Sequence, residues 1–569
     1  MDRDSVVSAR KVHDLIADGH TIVIYKDYVL RLDSWLDKHP GGRLSILHMV
    51  GRDATDEIDA YHRPVTLKTM KAFRIGLKPP GIWTNTTPPI RGGVYKKRQG
   101  TDTVDDVSDS EDSLLSETVA SLFDSSISSS LASLTSNESD IDRLSVKDKA
   151  TPILKMSQRD PDDPLSAETM FTGSPAAFTD WAENQDIDRD LREYPSVCPA
   201  VQQEIARKYK TLHQRVHDEG FYDCPYLEYG KEMARYTSLF AAFIVALRCE
   251  WYMSSAFFLG LFWHQIMFTA HDAGHRAITG IFEVDTLIGM FVGDFCCGLS
   301  IGWWKSSHNV HHLVTNHPEH DPDIQNVPLF ATTPTFFRSI NSTYYGDFIF
   351  AWDAVANFMV PYQKYTYYPI MGIARFNLYL LSWLHVLSAK SSSLGNTKAW
   401  WIRPVEITFM SCYWYIFGYL LLWRTLPTWG VRVAFVLVSH IVTMPLHVQI
   451  TLSHWAMSTS DLGEDESFAQ RQLRTTMDVD CPAWLDFIHG GLQFQAVHHL
   501  FPRVPRHNLR RLQKLVKEFC AETEIPYTLL GFVDGNDKVL CRLDEVGQQV
   551  KHLINCQKYM AETGESGLH

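Results

Sequence analysis

Three clusters of histidine stand out by their spacing: His271-Asp-Ala-Gly-His275, His308-Asn-Val-His311-His312 and Gln495-Ala-Val-His498-His499. Residues at i, i+3 and i+4 share one face of an α-helix. Each cluster therefore aims its imidazoles, joined in the third by an amide, at one point. Seven convergent histidines exceed the four ligands of a closed tetrahedral zinc site. They suit a pair of iron ions with positions left open for dioxygen. A single HxxxH would be ordinary, but three related clusters, each beside a long apolar stretch, point to metal binding.

Apolar segments must bring these clusters together. Spans are expected at about 233–248 and 251–270, a hairpin turning at Arg248-Cys-Glu250, and at 405–423 and 431–452, turning at Arg424–Gly430. Residues 367–387 are apolar too, but Arg375 and Asn377 near the middle suggest an interfacial helix lying along the membrane. Even numbers of crossings then separate the clusters, so all three lie on one side. The basic group Arg207, Lys208, Lys210 and Arg215, with Lys305 and Arg338, makes that side the cytosol.

Near the N-terminus, residues 5–80 read as a small globular domain. Thr21–Tyr25 and Tyr28–Leu32 are β-rich runs joined by Lys26-Asp27, and Asp33 or Ser34 is expected to cap a short helix through Trp35 and Leu36. His39-Pro40-Gly41-Gly42 is a turn whose glycines admit a close neighbour, and Gly51-Arg-Asp-Ala-Thr-Asp56 leads on to His62. These strings resemble cytochrome b5. The resemblance implies a b-type haem with His39 and His62 as axial ligands, an iron that passes electrons because no coordination position stays open. Ile58 stands where many relatives carry phenylalanine, and the interval between the histidines is one residue shorter than in the soluble proteins; neither departure removes a ligand.

Between 100 and 165 the chain turns to Ser, Asp and Glu. Residues 101–150 hold twelve acidic, three basic and fourteen serine residues, so nine of the thirteen net negative charges sit there. Too little apolar surface is present to offset the entropy of ordering, and a disordered linker is expected. The rest is nearly balanced in charge, with no basic run, which argues against nucleic acid as a partner. Ten scattered cysteines give no disulfide framework, and the N-terminus carries no apolar signal segment.

The strings HDAGH, HNVHHLVTNHPEHDPDI and HGGLQFQAVHHLFPRVPRHNLR resemble the membrane fatty-acyl desaturases, most closely the front-end branch with a fused cytochrome b5 domain and glutamine opening the third box. The resemblance implies a multi-domain chain: an α+β haem domain (5–80), the linker (100–165), and an all-α membrane desaturase domain (199–545) with about four transmembrane helices and a cytosolic helical cap. It makes His271, His275, His308, His311, His312, His498 and His499 iron ligands. His454, in Leu-Ser-His-Trp, matches a further ligand, and Gln495 stands where other branches have histidine. Asp272, Asp321 and Asp323 are candidates to orient the rings. His317 and His320 are left outside the site.

The expected cofactors are a b-type haem and two non-haem irons, with dioxygen as co-substrate. No GxGxxG element stands beside a strand, so a separate NADH-cytochrome b5 reductase must reload the haem. The resemblance further implies residence in the endoplasmic reticulum. The run DVDCPAWLDFIHGGLQFQ looks most like fungal Δ8 sphingolipid desaturases. That implies a new trans bond at C8–C9 of a ceramide long-chain base. The alternatives are a Δ5 or Δ6 polyunsaturated acyl desaturase, a lipid hydroxylase of the same superfamily, and a non-catalytic haem or metal membrane protein.

Overall fold

The computed structural model describes residues 3–96, 175–346, 348–388 and 399–563. The acidic 100–165 stretch lies outside them. The N-terminal part forms where sequence pattern places it. β1 (Ile22–Tyr25) and β2 (Tyr28–Arg31) pair antiparallel across the Lys26-Asp27 turn, and β3 (Arg74–Leu77) joins the other edge of β2. α1 (Ala9–Ala17), capped by Ser8, buries Val12 and Ile16 against this sheet. α2 (Arg43–Leu47), α3 (Thr55–Tyr61) and α4 (Pro64–Met70) complete it. The expected Asp33 or Ser34 cap is absent: Asp33 instead accepts from the Thr21 backbone and from Arg31, tying the two strands, and only a single turn forms at Leu36–Lys38.

The helical part runs from α5 (Pro175–Glu193) and α6 (Pro199–Asp218) to a final α18 (Phe532–Thr563), wider than the 199–545 expected. α7 (Tyr226–Arg248) and α8 (Tyr252–Gly274) form the first hairpin, with Glu250 at φ +61° in its turn. Next come α9 (Phe282–Met290), a wide π-type turn at Phe291–Cys296, and α10 (Ile301–Leu313), bent by 115° from the segment before it. α11 (Gln363–Leu387) precedes the second hairpin, built of α12 (Ile402–Trp414, continued to Thr425 by a π-type turn) and α13 (Trp429–Ile441) with α14 (Met444–Leu452).

Among the described residues, three helices are long and apolar enough to cross a membrane: Ala354–Leu387, Ile402–Thr425 and Trp429–Leu452. The bent pair Phe282–Cys296 and Ile301–Leu313 makes a fourth if counted as one span. This set differs from the expected one in two ways. α7 and α8 are helices of 23 residues each, but Glu228, Lys231, Glu232 and Arg235 in one and His264, Gln265, His271 and Asp272 in the other dilute their apolar character. Residues 367–387, expected to lie at the interface because of Arg375, belong to one of the three. Arg375 is fully buried, donating to the Cys297 carbonyl and the Tyr379 hydroxyl (2.8 Å each) while its guanidinium lies over the Trp263 ring. A cation hydrogen-bonded inside the protein does not need the headgroup layer.

α15 (Phe468–Thr475), α16 (Gln495–Leu500) and α17 (Arg506–Thr523) pack with α6 around Tyr209, Leu473, Val497, Leu500 and Leu512. The N-terminal part and the helical part form one compact unit.

Candidate metal centre

Each histidine cluster is positioned by a fixed helix end. His264, Phe268, His271 and His275 fall at i, i+4, i+7 and i+11 along α8 and its C-cap, one continuous face. Arg506, buried at the start of α17, locks that end by donating to the Phe268 carbonyl (3.0 Å) and pairing with Asp272 and Glu232. The second cluster lies in the last two turns of α10. Its first turn is fixed by Ser300, whose hydroxyl accepts from the Trp303 backbone N–H (2.9 Å) and donates to the buried Glu406 (2.8 Å). α16 carries the third cluster. Buried Asp478 accepts the Ala496 N–H of that helix (2.8 Å), Gln513 (2.8 Å) and the Tyr527 hydroxyl.

The three clusters meet. One nitrogen from each of His271, His275, His308 and His498 lies within 4.8 Å of the others, and the same holds for His311, His454 and His499. His312 stands between the two groups: its Nε2 is 3.0 Å from the Nε2 of His308, and its ring stacks on His499 at 4.0 Å. Such a nitrogen separation is that of two ligands at a right angle on one ion with metal–nitrogen bonds of about 2.1 Å.

The donor set fits metal on a second count. The Nε2 atoms of His271, His275, His498 and His499 and the Nδ1 atom of His312 are buried without a hydrogen-bond partner. Five orphaned ring nitrogens in these groups would be costly unless something binds them. Several rings are held from behind. His311 Nδ1 is 2.8 Å from Asp321, which also accepts the Asn316 and Asp323 N–H groups. His499 Nδ1 donates to Gln472 (2.9 Å), whose amide in turn donates to the His312 carbonyl (2.7 Å). These bonds leave Nε2 facing the centre.

All seven expected histidines are brought together, and His454 joins them. Gln495 is buried beside this group and hydrogen-bonds His454. Asp321 orients a ring as anticipated, Asp323 stands 3.8 Å from His311, and Asp272 chiefly pairs with Arg506. His317 and His320 stack on each other at 4.0 Å, and His320 lies 5.4 Å from His48, away from the metal groups. Gln472 and Arg506 escaped the sequence reading, since no spacing singles out a lone amide or a lone guanidinium.

His39 and His62 face each other with ring centres 6.0 Å apart. Two imidazoles bound at about 2 Å on either side of one iron need ring centres about that far apart. Each Nδ1 bonds a backbone carbonyl at 3.0 Å, Gly42 for His39 and Ile58 for His62, which turns Nε2 toward the gap. Gly41 leaves room there: a Cβ on it would stand 2.7 Å from the His39 ring. The residues fit a haem.

This haem-type site is docked on the helical part. Arg52 pairs with Glu464, Arg471 with Glu57 (3.2 Å), and Arg63 donates to the Gly280 carbonyl (2.7 Å). Asn309, next to His308, donates to the Gly41 carbonyl (3.2 Å), and Arg503 to the Ala60 carbonyl (2.9 Å). Burial pulls the pKa of Arg52 down to about 10. Burial pushes that of Asp478 up to about 6.

The cytochrome b5-like haem/steroid binding domain family matches residues 8–77, and the fatty acid desaturase family matches residues 250–531. The chain is 47% identical over 571 residues to the Delta 8-(E)-sphingolipid desaturase of Emericella nidulans, covering 100% of this chain and 99% of that one. Identity to the protein of the same name from Candida albicans is 43%, covering 97% and 98%. The acyl-lipid (9-3)-desaturase of Borago officinalis is 33% identical over 62% of this chain and 77% of its own length.

Proposed function

Because the chain belongs to the fatty acid desaturase family with a fused cytochrome b5-like domain, we propose that it introduces a trans double bond between C8 and C9 of the long-chain base of a ceramide-type sphingolipid. The observation that carries this reading is the pairing of two histidine groups with a docked His39–His62 site, in a chain similar end to end to sphingolipid desaturases. Weaker and shorter likeness to an acyl-lipid desaturase favours the long-chain base over an acyl chain.

In this reading His271, His275, His308 and His498 hold one iron, and His311, His454 and His499 the other, with His312 between them and Gln495 positioning His454. When bound, the haem supplies single electrons, and the iron pair the dioxygen chemistry by which two C–H bonds on neighbouring carbons, O2, two electrons and two protons become a C=C bond and two waters. Asp321 and Gln472 keep the rings in one tautomer and one orientation. Phe262, Trp263, Ile266, Ala270 and Met290 form a buried apolar cluster in the turns before His271 and against them, which leaves that side of the histidines free of polar groups. The haem faces the cytosol at the endoplasmic reticulum and is reloaded by NADH-cytochrome b5 reductase.

The test is expression in a host lacking 8-unsaturated long-chain bases, followed by lipid mass spectrometry. A base lighter by two hydrogens, with the bond located at C8–C9, is expected. A gain of one oxygen would instead make the chain a hydroxylase, and unsaturation confined to acyl chains would overturn the substrate. His308→Ala should abolish the product with haem content unchanged; retained product would remove the metal assignment.

A further inference from the structure

Two cations from the helical part stand at the haem-type site with no counter-ion. Arg276 follows the first histidine cluster, and Lys305 lies one turn ahead of His308 on α10. Lys305 stands one turn before Asn309, which donates to the Gly41 carbonyl of the His39 turn (3.2 Å), and Arg276 stands four residues before Gly280, whose carbonyl accepts from Arg63, the residue after His62 (2.7 Å). Each is partly buried, and among the described residues neither makes a hydrogen bond or an ion pair. Their visible contact is the Phe282 ring, whose centre lies 4.7 Å from the Arg276 guanidinium and 5.7 Å from the Lys305 ammonium.

The carboxylates in the neighbourhood are otherwise engaged. Asp285 accepts from the Thr279 N–H and hydroxyl and from the Gly280 N–H, and Glu406 accepts from Ser300 and Gly302. Glu283 reaches Arg276 only through space. Two cations partly withdrawn from water with no carboxylate partner are unfavourable unless an anion joins them. A b-type haem carries two anions on one edge, its propionates.

We infer that Arg276 and Lys305 bind the haem propionates, so that the membrane part contributes to a haem site whose axial histidines come from the N-terminal part. This rests on His39 and His62 being the haem ligands. Arg276 offers a planar fork suited to a carboxylate, and Lys305 a point charge that can serve the second. Haem binding and docking then reinforce each other, because the same propionates that seat the haem close the seam between the two parts. The cations also favour the electron-rich form of the haem.

The experiment uses the full-length haem-loaded chain and compares it with Arg276→Gln, Lys305→Gln and the double variant. Haem release to excess apomyoglobin and the haem midpoint potential are both read. The double variant should release haem about tenfold faster, as expected for the loss of charge-assisted bonds, and its midpoint should fall. Arg276→Lys and Lys305→Arg should stay near the parent. A second arm leaves the sequence untouched: the parent chain loaded with haem dimethyl ester should show the same fast release. Unchanged release and potential in the double variant, or an ester held as firmly as haem, would overturn the inference. His39→Ala separates the underlying reading, because a chain that still binds haem with the parent spectrum would refute the axial ligands rather than the propionate contacts.

Discussion

The Tyr61 ring stands edge-on to the His312 imidazole, with centres 6.0 Å apart and planes at 85°. Tyr61 directly precedes His62, so one peptide bond and one ring contact connect the haem-type site to the histidine that lies between the two metal groups. The Tyr61 hydroxyl is buried without a partner, which marks the ring rather than its polar end as the part in use.

Tyr61→Leu should therefore slow passage of electrons from the haem several-fold, while Tyr61→Phe should match the parent. The measurement is the rate of haem reoxidation after rapid reduction, with haem and iron content checked to be equal. Equal rates in the leucine variant would show that electrons take another route.

Asp321 accepts from His311 at 2.8 Å in a wholly buried setting. Its amide replacement keeps the shape and removes the charge that holds the imidazole. Asp321→Asn should cost about 10–100-fold in iron affinity or turnover. Non-haem iron per haem, measured on purified protein, checks this. Full iron occupancy with full activity would leave Asp321 as a loop anchor only.

The Arg52–Glu464 pair sits at the seam, with side chains 4% and 17% exposed. Glu464→Gln leaves Arg52 buried beside Arg91 and Arg471 without its carboxylate. It should weaken docking by about 3 kcal/mol, the low end for breaking a buried pair because Glu464 is partly wet. Limited proteolysis followed by haem absorbance would report release of the N-terminal part. Exchanging Arg52 and Glu464 together for methionine should recover much of the loss.

Asp478 anchors the helix of the third cluster and has its pKa raised from 3.8 to about 6 by burial. A folded pKa above the unfolded one means that protonation favours the native state. This contribution is present below about pH 4 and is lost as pH rises through about 6. Over that window the parent should lose about 3 kcal/mol relative to Asp478→Asn, since a tenfold change in proton affinity is worth about 1.36 kcal/mol. Melting curves of both proteins between about pH 4 and pH 7.5 span the transition, and parallel curves would place the proton elsewhere.

Much of this arrangement was legible in the residues. The spacing within HDAGH, HNVHH and QAVHH sets which rings share a helix face, and a helix is a local structure, so which imidazoles gather could be read without knowing the fold. The hairpin turns at Glu250 and at Arg424–Gly430 were equally visible, because charge and proline interrupt apolar runs. What stayed hidden is tertiary. Arg375 has the look of a headgroup ligand in the sequence, and only the fold supplies Cys297 and Tyr379 as its hydrogen-bond acceptors. Gln472 acquires a role only once α15 lies across His312 and His499, and the closeness of Tyr61 to His312 depends on how two parts of the chain dock.

The clustered imidazoles are scattered from His271 to His499, and no single hairpin holds all of either group. A ribosome must pass the third cluster before any cage is finished, by which time the earlier helices have already entered the bilayer. A metal held by these imidazoles would therefore be loaded late, into a nearly finished protein. Truncation anywhere upstream of residue 498 leaves imidazoles with nothing to grip, whatever haem the N-terminus has already acquired.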